Sequence, residues 1–372
     1  MSTALTDLLR HPIVQAPMAG GVSVPQLAAA VSEAGGLGFL AAGYKTADGM
    51  YQEIKQLRGL TGAPFGVNLF MPQPDPGAGT GSAGAAAAAL PSAAAVEVYA
   101  NQLAGEAAWY ETELGDPDSG RDDGYDAKLA VLLDNPVPVV SFHFGVPAPD
   151  VLDSLRRAGT LTLVTATTVD EALTVQRAGA DAVIVQGLEA GGHQGTHRDL
   201  LENDPCGIGL LSLVAQVRES VRIPLVAAGG IMRGSQIAAV LAAGADAAQL
   251  GTAFLATPES GAHPLHKRAL TDPLFVRTEL TRAFSGRPAR ALVNRFMREH
   301  GPYAPAAYPE VHHLTSPLRK AAAKSGDAQG MALWAGQGHR LARELPAGQL
   351  VEVLVTEAGA ALTALSTRGA SR

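Results

Sequence analysis

The 372 residues carry 28 Lys and Arg against 35 Asp and Glu, a net charge of −7 with no basic run, so the electrostatic footprint of a nucleic-acid binder is absent. A single cysteine, Cys206, excludes an intramolecular disulfide and any thiolate zinc or iron–sulfur site, and fits a reducing cytoplasm. Hydrophobic residues reach 47% and charged residues only 17%, enough apolar surface for one large domain and a smaller companion.

The opening stretch MSTALTDLLRHPIVQAPM has no basic region ahead of a long apolar run, so it predicts no signal peptide. The apolar windows long enough for a membrane span are Ala-diluted and cut by Gly or charge, and none is expected to cross a bilayer. Strands are predicted at Ile13–Met18, Leu37–Gly43, Phe65–Met71, Val137–Gly145, Leu161–Thr168, Ala182–Gly187, Leu225–Gly230 and Ala247–Phe254. Helices are predicted between them at Pro25–Glu33, Ala47–Arg58, Ala148–Ala158, Val169–Ala178, Leu210–Ser220 and Ser235–Ala243. Runs such as VPVVSFHF and PLVAAGG are apolar throughout, as parallel strands covered on both faces require.

Eight βα units, three of the later ones spaced about as closely as geometry permits, predict an α/β fold, a TIM (β/α)8 barrel, in preference to an open doubly wound sheet, for which no GxGxxG follows the first strand. Two segments break the rhythm. Residues 73–96 are Gly/Ala/Pro-rich and read as a flexible excursion leading into a helical stretch at about 96–135. Residues 258–340 do not alternate and are assigned to a mostly helical second domain capping the C-terminal mouth. The barrel then spans 1–257 with an insert at 73–135, and residues 341–372 supply a final helix (about Leu350–Ser366) returning to the barrel wall.

Chemistry-bearing residues gather at the predicted strand ends. Gly229-Gly230 follows the seventh strand, and Gln249-Leu250-Gly251-Thr252 lies in the eighth, where barrels commonly bind phosphate on backbone N–H groups. A tight βα turn is the alternative for the glycine pair. Gln186 closes the sixth strand and Asn68 the third; buried amides need partners, which the edge of an isoalloxazine or the backbone of a neighbouring loop would supply. His143 ends the fourth strand, with Ser141 and Gly145 on its face, and is placed to take a proton from carbon or donate to developing negative charge. Its alternative is a bond to loop backbone.

His193 and His197 have i, i+4 spacing, but Gly191, Gly192 and Gly195 argue against the helix that a metal site would need, so no metal is expected. No GxSxG elbow supports Ser/His/Asp hydrolysis. His312-His313 is expected on the cap surface.

Together, QAPMAGGVS, GVNLFMP, VSFHFGVP, VQGLEAGGHQGTH, VAAGGI and AAQLGTAFLATPES resemble the class I nitronate monooxygenase (2-nitropropane dioxygenase) family over about residues 11–300, EAGGHQGTH being the most specific element. The resemblance implies a barrel holding non-covalent FMN beneath a second domain. It assigns flavin contacts to Met18, Asn68, Gln186, Gly191, Gly192, Gly229, Gly230, Gln249, Leu250, Gly251 and Thr252, and the active-site histidine to His143. His193, Tyr303 and Tyr308 are expected against the substrate. Arg282 or Arg287 would pair with a substrate carboxylate, or else serve as a surface or interdomain arginine. The implied reaction is oxidation of alkyl nitronates of the propionate 3-nitronate type by O2 to a carbonyl compound with nitrite or nitrate. The flavin relays electrons and no nicotinamide is consumed.

Two alternatives stand beside it. One is an NAD(P)H-dependent quinone or enoyl-acyl-carrier-protein reductase on the same scaffold. The other is a non-catalytic flavin-binding sensor. The expected partners are a small-molecule nitronate and O2, without nucleic acid or membrane, in a monomer or homodimer.

Overall fold

The computed structural model describes residues 4–73, 93–199 and 207–370. Most of the Gly/Ala-rich excursion, residues 74–92, and Cys206 lie outside the described residues. The chain runs β1 (Ile13–Gln15), α1 (Pro25–Glu33), β2 (Gly38–Ala41), α2 (Ala47–Leu60), β3 (Phe65–Phe70), α3 (Ala93–Trp109), α4 (Tyr125–Asp134), β4 (Val139–His143), α5 (Pro149–Arg157) and β5 (Leu161–Ala166). It continues through α6 (Val169–Ala178), β6 (Ala182–Gln186), β7 (Gly192–His193), α7 (Leu210–Ser220), β8 (Leu225–Ala228), α8 (Gly234–Ala242) and β9 (Ala247–Leu250). The remainder is α9 (Thr252–Leu255), α10 (Pro264–Ala269), β10 (Thr278–Thr281), β11 (Ala289–Leu292), α11 (Arg295–His300), α12 (Glu310–Ser325) and α13 (Ala347–Ala370).

Eight parallel strands pair in the order β1-β9-β8-β6-β5-β4-β3-β2. The first and last meet at a parallel bridge between Val14 and Leu37, where Gln15 N donates to the Leu37 carbonyl and Leu37 N to that of Ile13, each at 2.9 Å. The sheet is thereby closed into the expected TIM barrel. Side-chain alternation then sorts residues into two apolar layers. Val14, Phe39, Val139, Leu163, Ile184 and Val226 fill the interior, plugged at its lower end by Leu5. Val140, Phe142, Val164, Val183 and Leu225 face the helices outside.

All eight predicted strands exist, and each stops short of its predicted C-terminal end. The residues left over, such as Gly145, Gly187 and Gly229-Gly230, turn out of the sheet to form the mouth. The helical stretch expected at 96–135 is two helices, α3 and α4, separated by residues 110–124, YETELGDPDSGRDDG, whose Gly, Pro and Asp content stops a helix.

Over the mouth lies a second apolar cluster built from Phe284, Phe296, Val311, Leu314 and Leu318. Helix α3 joins it through Val96, Tyr99 and Leu103, and the Tyr99 hydroxyl donates to the Ala283 carbonyl at 2.7 Å. Besides its helices this layer holds a three-stranded antiparallel sheet, β10-β11-β7, that the sequence did not suggest. Its strands are two to four residues long, too short to show a period. One of them, β7, is lent by the loop after β6, so barrel and cap share a sheet.

Helix α13 packs on α8 and α1 through Ala347, Leu350, Val351 and Leu354. By length and composition alone, Ala347–Thr367 is the one described helix stretch that would suffice to cross a membrane. Its first half is instead packed on the barrel helices, while Leu362 and Leu365 are exposed.

The barrel interior has no slack at Gly66, where a Cβ would collide with the ring of Phe39, which is fully buried. A buried aromatic ring cannot yield cheaply. Gly66→Ala is expected to lower stability by about 1–3 kcal/mol, read as a drop in the urea midpoint; an unchanged midpoint would refute this packing.

Candidate active site

The floor of the mouth is made by strand ends and one loop. Asn68 sits in register with Ser141, and its amide donates to the Ser141 hydroxyl at 3.0 Å and carbonyl at 3.2 Å. Gln186, at the end of β6, donates to the His193 carbonyl at 3.1 Å and accepts from Gly195 N at 2.7 Å. Its amide is therefore used at both ends to hold the 193–195 loop. Glu171 and the Thr165 carbonyl fix the same loop further on, through His197 N and His197 Nε2 at 2.7 and 2.8 Å. The His197 ring thus serves the loop. His143 lies beneath, and a Cβ on residue 195 would come within 2.6 Å of its ring, so glycine there is what lets loop and imidazole meet.

Beside this floor is a cradle of backbone. Gly229 (φ +133°) and Gly230 (φ +67°) occupy conformations that side chains resist. Gly251 follows β9 and stands near the Met18 side chain, while Met18 N is held by the Ser23 hydroxyl at 2.9 Å. The Thr252 hydroxyl accepts from Gly336 N at 2.9 Å, which leaves its own hydrogen free to donate. Gly191 abuts the backbone of Ala335 and Gly336, and Gly338 abuts that of Gly230. The segment WAGQG at 334–338 is thus part of the site. The sequence signal was available in its two glycines, but nothing in it indicated which strand end they would meet.

Three buried polar atoms around the mouth have no partner among the described residues: Gln249 Oε1, Gln194 Nε2 and Arg287 Nε. Orphaned groups of this kind are uncommon and call for a ligand or water. Together with the glycine cradle they fit a phosphate-bearing cofactor whose ring carries donors and acceptors.

The cap side is aromatic. Phe144 is centred 4.5 Å from His143 and 5.6 Å from His193, and Tyr308 lies 5.6 Å from His193. Tyr44 stacks on His312 at 3.9 Å, and its hydroxyl is 3.2 Å from that of Tyr308. Both Phe144 (φ +73°) and Tyr44 (φ +65°) hold the left-handed backbone that costs a bulky residue about 1–3 kcal/mol, strain characteristic of functional sites. Asp123 secures Tyr44 by accepting its N–H at 2.8 Å.

Arg287, 1% exposed, lies over the Phe144 ring at 4.1 Å, donating to Gln73 Oε1 at 2.8 Å and to the Thr196 carbonyl. No carboxylate pairs with it among the described residues. Arg282 differs: it grips Asp199 with two bonds of 2.6 and 2.8 Å and is structural. Two expectations are corrected. Tyr303 ends the turn after α11, faces solvent and is 64% exposed, away from the cluster. His312 is not a surface residue, because α12 turns it inward onto Tyr44, while His313 reaches the Gly120 carbonyl at 2.9 Å. Sequence reasoning missed Tyr44, Phe144, Trp334 and Arg319, which come from four separate segments.

Burial holds the His143 pKa down to about 3, and the charge of Arg287 adds to the effect. Burial, then His143 and Arg287, push His193 the same way. The Ser285 hydroxyl donates to the Arg287 carbonyl at 3.2 Å, so it accepts from His193 Nε2 at 2.9 Å. His193 is then protonated on Nε2 and carries its lone pair on Nδ1. Under the cap, burial lowers His266 to about 4, with its Nε2 donating to the Trp334 carbonyl at 3.0 Å.

Folded values below the ordinary 6.5 mean that the unfolded chain binds more protons, so stability rises with pH up to about 6.5. That stability is lost as pH falls through the folded values. The urea midpoint is expected to drop between about pH 7.5 and pH 5, and His266→Gln, which keeps the bond to Trp334, should narrow the drop. Equal drops in both proteins would contradict it.

The family model described as nitronate monooxygenase matches residues 2–357. The nitronate monooxygenase of Pseudomonas aeruginosa is 43% identical over 362 residues, covering 96% of this chain and 99% of that protein. That of Paraburkholderia phytofirmans is 41% identical, covering 93% and 92%. Among solved structures, a nitroalkane oxidase from Streptomyces ansochromogenes superposes with a TM-score of 0.92 at 79% identity, covering 98% of this chain and all of that one. FabK from Thermotoga maritima superposes at 0.72 with 30% identity over 98% of each chain. Matched by that family model over residues 2–357 and by a relative 43% identical across 96% of its length, the chain is an enzyme of the nitronate monooxygenase family.

Proposed function

We propose that this enzyme binds FMN at the barrel mouth and oxidises alkyl nitronates of the propionate 3-nitronate type with O2, releasing a carbonyl compound and nitrite or nitrate. The observation that carries the reading is Arg287. A guanidinium buried without a counter-ion is costly, and an anion seated beside it removes that cost. The histidines facing it are neutral, so the site is selective for a small anion, and a nitronate is one.

Bound FMN would supply the electron transfer between nitronate and O2. In the same reading, Gly229, Gly230, Gly251 and Thr252 hold its phosphate, while Gln249 and Gln194 meet polar atoms of the cofactor. A single phosphate cradle favours FMN over a dinucleotide. Asn68, Met18 and Leu250 shape the floor, and Gln186 acts through the 193–195 loop, with Gly191 and Gly192 fixing the loop's approach. His143 and His193 border the substrate. An imidazole with a free lone pair can also take the α-proton of a neutral nitroalkane and so generate the nitronate in place.

Oxygen uptake by the flavin-loaded protein on adding propionate 3-nitronate, with no NADH present, tests the reading. Flavin-dependent uptake supports it. No uptake, with NADH reducing the bound flavin instead, would establish the reductase alternative, and no turnover of either kind would leave a flavin-binding sensor.

The histidines are tested by comparing two forms of one substrate. His143→Ala and His193→Ala are each expected to lower kcat/KM for 1-nitropropane by about 100-fold or more. Preformed propyl-1-nitronate, which has no proton to lose, should suffer less. Equal losses on both forms would assign these residues to binding alone.

A further inference from the structure

The cap side of the site contains a cluster made of hydrogen-bond donors. Arg319, on α12, donates through one terminal nitrogen to the His312 carbonyl at 2.8 Å and to His312 Nδ1 at 3.3 Å. A guanidinium can only donate, so Nδ1 accepts and the His312 proton is on Nε2. His312 is therefore a donor outward. Its ring stacks on Tyr44, whose hydroxyl pairs with that of Tyr308 at 3.2 Å. Two phenols in one hydrogen bond use one hydrogen between them, and the other remains free to donate.

Among the described residues, no free acid balances these donors. No carboxylate pairs with Arg319 among the described residues. The acid closest in effect, Asp123, is engaged by Tyr44 N at 2.8 Å and Lys128 Nζ at 2.7 Å. Burial lowers the Arg319 pKa to about 10, the direction expected of a cation lacking a counter-charge. Tyr308 joins the cluster to the reacting end, since its ring lies 5.6 Å from His193 and 5.4 Å from Phe144. The arginines singled out by sequence do not fill this role: Arg282 is tied to Asp199, and Arg287 sits at the reacting end.

We propose that Arg319, His312 and the Tyr44–Tyr308 pair form a second anion subsite, which takes a carboxylate carried on the substrate's tail. The inference rests on the nitronate reading for the identity of the reacting end, and adds that Arg319 sets a preference for acidic over uncharged tails. Arg287 and Arg319 then divide the work, one facing the nitronate and the other the carboxylate.

The test uses the flavin-loaded enzyme, with Arg319→Gln and Arg319→Lys variants confirmed to retain flavin. The ratio of kcat/KM for propionate 3-nitronate to that for propyl-1-nitronate is expected to fall by about 30-fold in Arg319→Gln, mainly through KM, and to recover in part in Arg319→Lys. Calorimetric binding of 3-nitropropionate should weaken about 10-fold more than that of 1-nitropropane. An unchanged ratio, or equal weakening of both ligands, overturns the subsite. If the wild type oxidises neither nitronate yet binds 3-nitropropionate through Arg319, the nitronate reading fails and the subsite stands.

Discussion

Closure of the sheet between β1 and β2 is the constraint on which everything else depends. Once Gln15 N and Leu37 N complete the ring of backbone bonds, all eight strands must end on one rim with their C-terminal carbonyls and loops converging. The interior beneath is packed with Val, Leu, Ile and Phe and admits nothing. Polar residues at the strand ends, among them Asn68, His143, Gln186 and Gln249, are thus gathered at the rim, where a ligand can meet them. The cap encloses that rim, and the loan of β7 to the cap sheet fixes the loop that lies across it.

Enclosure determines the electrostatics. In water, the histidines would titrate near neutrality and Arg287 would be solvated. Under the cap, burial keeps the imidazoles neutral and leaves the guanidinium as the dominant charge. The stacking of Arg287 on Phe144 explains how the cation is tolerated: the ring face offers weak compensation, and the Gln73 and Thr196 oxygens accept from its two terminal nitrogens, leaving Nε for a ligand. A carboxylate in their place would neutralise the site permanently.

Several residues could be located from the sequence because a local rule applied. The glycines at 229, 230 and 195 stand where the backbone needs positive φ or where two groups approach closely, and glycine serves those needs wherever they occur. His143 was legible because alternation along an apolar strand assigns a face without reference to any other segment. Gln186 was legible as a residue needing partners, but whether those partners were loop backbone or ligand depended on the path of residues 193–195. Tyr303 and Tyr308 read alike, five residues apart in a Pro-rich stretch. One faces solvent and the other closes the site, because only the second lies at the turn that leads α12 over the mouth.

The sequence by itself determined the barrel, its eight strands in outline and the rim on which chemistry would collect, since period, glycine punctuation and strand count are local properties that survive without tertiary contacts. The tertiary structure alone decided that His312 turns inward, that Arg282 is structural while Arg287 and Arg319 have no acidic partner among the described residues, and that WAGQG meets the strand ends. Each of those outcomes is a relation between segments far apart in the chain. Whether a charged side chain has a partner is a property of the space around it, and no window of sequence contains that space.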